Sequence, residues 1–220
     1  MYKGSIIFCL FLSSIFLFLF IIRPEKSLTI PKTEKFTSIN DFSKNKLEEA
    51  LKEVIDSRKM NFTLTFSEEE LNNLVGLFYN SNKDKANFSY LKKVQGIKCT
   101  IIDKKINLSA NVKILDPFLA GFKTEFMPSI EDNEIILKIA KSYVGVIQIP
   151  NSIPLNLLST NSKGNFSVSV DNSSIKLINS LPKQFELKNI YIKDNKVNLD
   201  VNVSIKSIQD LVDILGEFTK

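Results

Sequence analysis

The sequence predicts an α+β fold. In the predicted fold, a curved and mostly antiparallel β-sheet is built of hairpins and has helices packed on one of its faces. One N-terminal transmembrane helix precedes it. Three observations predict it: apolar and polar residues alternate over successive runs between Val94 and Ile205, pairs of Asp with Asn or Lys separate several of these runs, and helically spaced apolar residues flank them. The apolar fraction of 44% is enough for a sizeable core.

The N-terminal hydrophobic segment is predicted to be an uncleaved membrane anchor. Residues 5–22 carry no charge, and at about 1.5 Å per residue in a helix they come close to the length that crosses a bilayer core. A cleaved secretory signal is the alternative. However, no small-x-small cleavage motif follows Ile22, and Cys9 lacks the preceding small residue that a lipidation site requires.

Charge then predicts the topology. Lys3 favours a cytoplasmic N-terminus, whereas Arg23 and Lys26 oppose it, and a short N-terminal tail before a large domain favours export of that domain. We therefore expect a single-pass protein of the cell membrane with its C-terminal domain outside the cytoplasm. The predicted units are a signal-anchor at 1–23, a linker at 24–40, and an extracytoplasmic α+β domain at 41–220.

The first elements of this domain follow from the spacing of apolar residues. A first helix is predicted from its apolar stripe, which comprises Leu47, Ala50, Leu51, Val54 and Ile55. Residues 60–66 alternate as a short strand, and Ser67 with Glu70 forms a capping box at the start of a second helix. Residues 80–93 are predicted to be a polar loop.

The central region, Val94–Pro150, is predicted to form successive hairpins. Residues 97–114 alternate about a turn at Asp103–Lys104, and a second turn lies at Asp132–Asn133, where both residue types tolerate the positive φ of tight turns. Period-two alternation places the apolar side chains on one face and Asn, Ser and Lys on the other. Beyond this region we expect helical turns at 153–159, turns at Asp171–Asn172 and Asp194–Asn195, and a closing helix at 208–218.

Composition excludes several kinds of site. The chain has no His, which removes His-based catalysis and most zinc sites. No nucleophile–base pair, phosphate-binding glycine loop or calcium-loop pattern is present, so we predict no enzyme activity, no cofactor and no metal. The net charge of +5 does not indicate a nucleic-acid-binding face. Cys99 is expected to point inward as a small apolar residue that cannot pair with Cys9.

The segment Pro117–Met127 and the apolar residues after it carry the functional prediction. Aromatic side chains and Met make adaptable apolar walls, so we predict a site for a lipid or acyl chain. The predicted lipid-binding residues are Phe118, Leu119, Phe122, Phe126, Met127, Tyr143, Ile147, Ile149 and Leu155. The alternative is that these residues form a dry core between sheet and helices.

Several motifs resemble those of a known family. An N-terminal anchor, a helix of the SEEELNNLV type, the segment FMPSIEDNEIILKIAKSYVGVIQIP and the hairpin LKNIYIKDNKVNLDV together resemble the YpmS-like proteins of Firmicutes over most of residues 60–205. That family is of unknown function, and the resemblance implies no active site. More distantly, the predicted fold resembles tubular lipid-binding domains and periplasmic lipoprotein carriers.

These observations lead to two functional expectations. The first is a membrane-anchored, non-catalytic lipid-binding or lipid-handling module of the cell envelope, attached to the cytoplasmic membrane by residues 5–22. The second is an envelope protein–protein interaction or assembly module with a dry core.

Overall fold

The structure, a computed structural model, describes residues 22–25, 28–33, 36–57, 60–159, 166–177 and 183–205. The predicted closing helix and the predicted transmembrane segment, apart from Ile22, lie outside these residues. Within the described ranges, no helix combines the length and the apolar character that crossing a membrane requires.

Helices and strands occupy most of the described chain. The helices are α1 (Ile39–Ser57), α2 (Glu68–Asn82) and α3 (Ser152–Ser159), and a 3₁₀ helix covers Ala86–Lys93. The strands are β1 (Asn61–Ser67), β2 (Val94–Ile102), β3 (Lys105–Leu115), β4 (Phe118–Glu131), β5 (Glu134–Val144), β6 (Ile147–Ile149), β7 (Phe166–Ser169), β8 (Ser174–Leu177), β9 (Phe185–Lys193) and β10 (Lys196–Val203).

The strands form two antiparallel sheets, so the predicted α+β class with a mostly antiparallel sheet is confirmed. The larger sheet has seven strands in the order β2-β3-β4-β5-β8-β7, with β6 paired to β5. The smaller sheet has the order β1-β10-β9, in which Phe62 lies opposite Val201. Alternation assigned these residues to strands, but it could not show that β1 pairs with a strand more than a hundred residues later.

Tight hairpin turns connect the long strands at the positions that Asp and Asn residues in the sequence predict. Both central residues of three turns have positive φ, namely Asp103–Lys104, Asp132–Asn133 and Asp194–Asn195. Paired positive φ angles match the right-handed twist of the flanking strands. At the fourth predicted turn, the positive φ of 47° falls on Ser173 and not on Asp171 or Asn172.

The predicted polar loop at 80–93 is wrong. Helix α2 continues to Asn82, and the 3₁₀ helix follows after a short connection. Phe88 and Leu91 are buried in a cluster with Val94, and the ring of Phe88 packs edge-on against Phe78 at 5.7 Å between centroids. Two apolar residues among many lysines therefore fold this segment onto the sheet, because burying them outweighs the solvation of its polar neighbours.

Helix α2 lies beside β2, the edge strand of the larger sheet. The amide of Asn72 donates to the Cys99 carbonyl at 2.7 Å and accepts from the Cys99 N–H at 2.8 Å. Glu68 accepts the N–H of Ile101 at 2.8 Å. These side chains satisfy outward-facing backbone groups of the edge strand, which would otherwise be open to another chain.

Candidate functional site

Exposed apolar side chains cluster at one end of the larger sheet. They lie in or directly beside the connections β3–β4 and β5–β6, and we call them the rim: Ile114 (47% exposed), Leu115 (68%), Phe118 (44%), Val146 (72%) and Ile147 (48%). The register places both connections at the same end, since Leu115 lies opposite Phe118 and Val144 lies opposite both Phe122 and Ile147. Scattered exposed apolar residues are ordinary, but five on two adjacent connections indicate a contact surface.

The chain enters the described fold beside this rim. The carbonyl of Ile22 accepts a hydrogen bond of 3.0 Å from the N–H of Gly121, three residues after Phe118. The turns at Asp103–Lys104 and Asp132–Asn133 lie at the opposite end, about 40 Å away along β4 at roughly 3.3 Å per residue. The uncharged segment that ends at Ile22 therefore meets the sheet at its rim end.

The described part of residues 22–33 packs across the larger sheet. We call residues 22–33 the strap. It crosses three neighbouring strands at one transverse row, where Asn111 lies opposite both Gly96 and Gly121. A Cβ at Gly121 would come within 2.8 Å of the Arg23 carbonyl oxygen, and a Cβ at Gly96 would overlap the Leu28 carbonyl. The row therefore needs residues without side chains wherever the strap passes closest.

Polar contacts fix the strap in register. The side-chain amide of Asn111 accepts from the Glu25 N–H at 2.9 Å and donates to the Glu25 carbonyl at 2.7 Å, as a neighbouring strand would. The carbonyl of Thr29 then accepts the N–H of Ile97 on the edge of β2 at 3.2 Å. Beyond this edge, the strap passes Gly76 of α2, where a Cβ would lie 2.8 Å from the Pro31 carbonyl oxygen.

The larger sheet consequently has two different faces. The α3 face carries Phe126 and Ile139, which pack with the fully buried Leu155 of α3. The strap face carries Gly96, Asn111 and Gly121.

The structure divides the nine predicted lipid-binding residues between these faces. Strand alternation and register place six of them on the α3 face: Phe118, Phe122, Phe126, Ile147, Ile149 and Leu155. The other three, Leu119, Met127 and Tyr143, lie on the strap face. Within the six, Phe126 and Leu155 belong to the core, Phe122 and Ile149 are half-buried, and Phe118 and Ile147 are exposed.

The six residues on the α3 face form an apolar gradient from the rim inward. Phe118 at the rim is 44% exposed, Phe122 four residues further along β4 is half-buried, and Phe126 after another four residues is 8% exposed. Val144 and Ile149 lie half-buried beside this line on the adjacent strands. An acyl chain that entered at the rim would meet apolar surface along this path before it reached the packed core.

The strap face carries charge instead. Lys98, Ser109, Lys123 and Tyr143 lie opposite one another in a row across β2–β5, and Thr100, Asn107, Glu125 and Lys141 form the next row. Ser109 and Asn107 are 7% and 3% exposed beneath the longer side chains. Glu125 accepts from Lys105 at 2.9 Å, and this hydrogen bond, despite partial burial, holds the pKa of its carboxyl below the ordinary value.

A polar cleft of about 370 Å³ lies away from the rim, between α1, α2 and the smaller sheet. Its walls include Phe36, Lys46, Glu49, Glu70 and Lys196. Burial alone would lower the pKa of Lys46, but the hydrogen bond and charge of Glu70 outweigh it and raise that pKa. Glu70 also accepts from Ser67 in the capping box, so these charges are already paired within the fold.

The described residues include neither a metal-binding cluster nor an activated cysteine. No group of three acidic or cysteine side chains that could hold a metal ion occurs among them. Burial raises the pKa of the Cys99 thiol to about 12, so this thiol is not an activated nucleophile. What the arrangement can do is present apolar surface at the rim and positive charge on the strap face.

Sequence reasoning found part of the rim, because Phe118 and Ile147 are among the predicted lipid-binding residues, but it did not include Ile114, Leu115 or Val146. It assigned residues 24–40 to a linker, because the strap has neither helical nor strand period. The signal that could have indicated the strap is the position of Gly96 and Gly121 in predicted strands, because glycine inside a strand often marks close approach of another backbone.

A scan against protein-family models, a search of curated proteins and a search of solved structures each found no match to this chain.

Proposed function

We propose that this chain is a membrane-anchored, extracytoplasmic and non-catalytic lipid-binding module of the cell envelope. The observation that carries the proposal is the rim, five exposed apolar residues at the sheet end where the uncharged segment 5–22 enters. If that segment anchors the chain, the strap leaves no slack between anchor and sheet, because Ile22 is already bonded to Gly121.

The proposed geometry directs the rim into the lipid interface. Amphipathic surfaces bind there by burying apolar side chains at the level of the headgroups and the first acyl carbons. The rim would be lipid-facing while the α3 face behind it receives part of an acyl chain along Phe118 and Phe122. Partial insertion of this kind suits a module that handles lipid, and it is in keeping with the predicted membrane localisation.

Site-specific fluorescence tests the rim. The full chain, with Cys9 replaced by Ser, is placed in phosphatidylcholine vesicles with a polarity-sensitive dye on Leu115→Cys or Val146→Cys. We expect a blue-shifted emission that is quenched by nitroxide attached to the lipid acyl chains. The matched control is Ile102→Cys, because Ile102 is 51% exposed at the opposite end of the same sheet. A rim dye as accessible to aqueous iodide as the control dye contradicts the proposal.

A pair of substitutions tests acyl-chain binding on the α3 face. Phe118→Asp should abolish cross-linking to a photoactivatable fatty acid, whereas Met127→Asp should preserve it. The two residues are on the same strand and almost equally exposed, at 44% and 45%, but they face opposite sides of the sheet. Since neither is buried, both variants should remain folded. Equal cross-linking of both variants, together with a solvent-exposed rim, would favour the interaction or assembly module.

A further inference from the structure

The strap face holds a concentration of positive charge that the lipid proposal does not use. In the two rows, Lys98, Lys123 and Lys141 accompany Glu125, which is the one carboxylate among their described residues, so three positive charges meet one negative charge. Lys105, one row further from the rim, also contacts this carboxylate. Lys105 lies 2.9 Å from one carboxylate oxygen of Glu125, and Lys123 lies 3.5 Å from the other.

This imbalance is local. Elsewhere on the same sheet, lysines have their own carboxylates: Lys138 lies 2.9 Å from Glu131, and Lys113 lies 2.6 Å from Asp116. Lys98 and Lys141, by contrast, are exposed and form no ion pair within the described residues. Like charges on neighbouring strands repel one another, so the arrangement weakens the isolated sheet slightly and is relieved by an anion.

The strand between Lys98 and Lys123 carries small buried side chains at this point, Ser109 and Asn107 of β3. The strap stands on the adjacent row, through Gly96, Asn111 and Gly121, about 7 Å nearer the rim because rows on one face are two residues apart. The cationic row therefore runs parallel to the strap, and a ligand that contacts all of it must be extended.

We propose that the strap face binds a linear, phosphate-bearing polyanion, which lies along the row of Lys98 and Lys123 with Lys141 beside it. Lysine ammonium groups bind phosphate as point charges without a fixed fork geometry, which suits a flexible chain. Binding is electrostatic and weakens with salt, since each neutralised phosphate releases counterions.

Two other anionic partners fit this surface less well. Lys123 lies five residues beyond Phe118, about 17 Å from the rim, which exceeds the distance of about 8–10 Å over which headgroup charge acts at physiological salt. A single-stranded nucleic acid needs aromatic platforms for its bases, and Tyr143 is the one aromatic residue in the two rows, half-buried.

Polyphosphate binding to the full chain in phosphatidylcholine nanodiscs tests the proposal. Fluorescein-labelled inorganic polyphosphate of about one hundred units is titrated at low and at physiological salt and followed by anisotropy. Replacing Lys98, Lys123 and Lys141 by Gln should weaken binding at least about tenfold at low salt and reduce the salt slope. The control replaces Lys44, Lys52 and Lys193 by Gln, three exposed lysines on α1 and β9, and so removes the same net charge; it should bind like the natural protein.

The outcomes separate this surface from the rim. Equal weakening by both triple variants would show that net charge alone drives binding and would overturn the proposal. So would tighter binding of an oligothymidylate of equal charge than of polyphosphate. The Leu115→Asp variant should bind polyphosphate normally even if it loses lipid contact, so failure of the lipid proposal leaves this result unaffected.

Discussion

Cys99 shows what a single side chain contributes when it is enclosed by the sheet and α2. It is 3% exposed, which confirms the inward-facing position predicted from its alternation with Ile97 and Ile101. Burial, with a smaller effect from the charge of Glu68, raises the pKa of its thiol from 9.0 to about 12. The folded chain thus keeps the thiol protonated over a pH range in which the unfolded chain releases the proton.

This difference predicts a pH-dependent stability. Above pH 9 the unfolded state binds fewer protons than the folded state, so the free energy of unfolding falls by about 1.4 kcal/mol between pH 8 and pH 10 through this group. Cys99→Ala should cost about 1–2 kcal/mol at pH 8, and this cost should shrink towards zero at pH 10. Urea unfolding of both proteins at both pH values measures it, and the comparison cancels other titrating groups. A cost that is the same at pH 8 and pH 10 contradicts the assigned burial.

The limits of prediction also appear at the residue scale. Period-two alternation correctly separated Cys99 and Ile101 from the polar side chains of β3, because alternation is a property of the strand itself. It could not predict that Asn107, Ser109 and Asn111 are buried, since their burial comes from lysines on neighbouring strands and from the strap. The sequence shows that the nine predicted lipid-binding residues are apolar or aromatic. It does not show which face of the sheet each one occupies, because that depends on where each strand begins.

Among the elements, α2 protects the edge of the larger sheet, and Asn72 makes the most specific contact. Asn72→Ala removes two hydrogen bonds to the Cys99 backbone and leaves that edge open. We expect a loss of about 1–3 kcal/mol in unfolding free energy and faster aggregation near the melting temperature. Asn80→Ala on the exposed side of the same helix is the control and should change stability by less than about 0.5 kcal/mol. Equal effects of the two substitutions, in thermal unfolding and light scattering, would exclude edge protection.

Apolar periodicity did not predict the strap, because the strap contributes mainly backbone groups to its contacts with the sheet. Gly96→Ala should destabilise a chain that begins at residue 22 by about 1–3 kcal/mol, since the new Cβ overlaps the Leu28 carbonyl. In a chain that begins at residue 36, the same substitution should be neutral or stabilising by up to about 1 kcal/mol, because alanine restricts the unfolded chain. Destabilisation of both chains to the same extent would show that the strap does not occupy this row in solution.

At the scale of the whole molecule, the two sheets meet where the β4–β5 hairpin contacts β9. Ile130 and Ile135, at the end of that hairpin, pack against the core of the smaller sheet. Asn133 in the turn accepts from the Leu187 N–H at 2.6 Å and donates to the Phe185 carbonyl at 3.3 Å. The hairpin thus connects the rim end of the molecule to the sheet that contains its last described strand. Local patterns predicted the hairpins, whereas the docking of one hairpin tip on another strand depends on contacts between residues far apart in sequence.

Glycine substitution separates the two roles of Asn133. Its φ of 61° is the left-handed conformation that glycine adopts without strain, so Asn133→Gly should keep the turn while it removes both hydrogen bonds to β9. We expect a loss of about 1–2 kcal/mol in the free energy of unfolding. Asn195→Gly provides a matched control, because Asn195 holds the same position in the β9–β10 turn with a φ of 53° and has no described hydrogen bond to another strand. This control should stay within about 0.5 kcal/mol of the natural protein. If denaturant unfolding gives the same free energy of unfolding for both variants, the hydrogen bonds of Asn133 to β9 do not contribute to stability. Asn133 then serves the turn conformation alone, and the apolar contacts of Ile130 and Ile135 hold the sheets together.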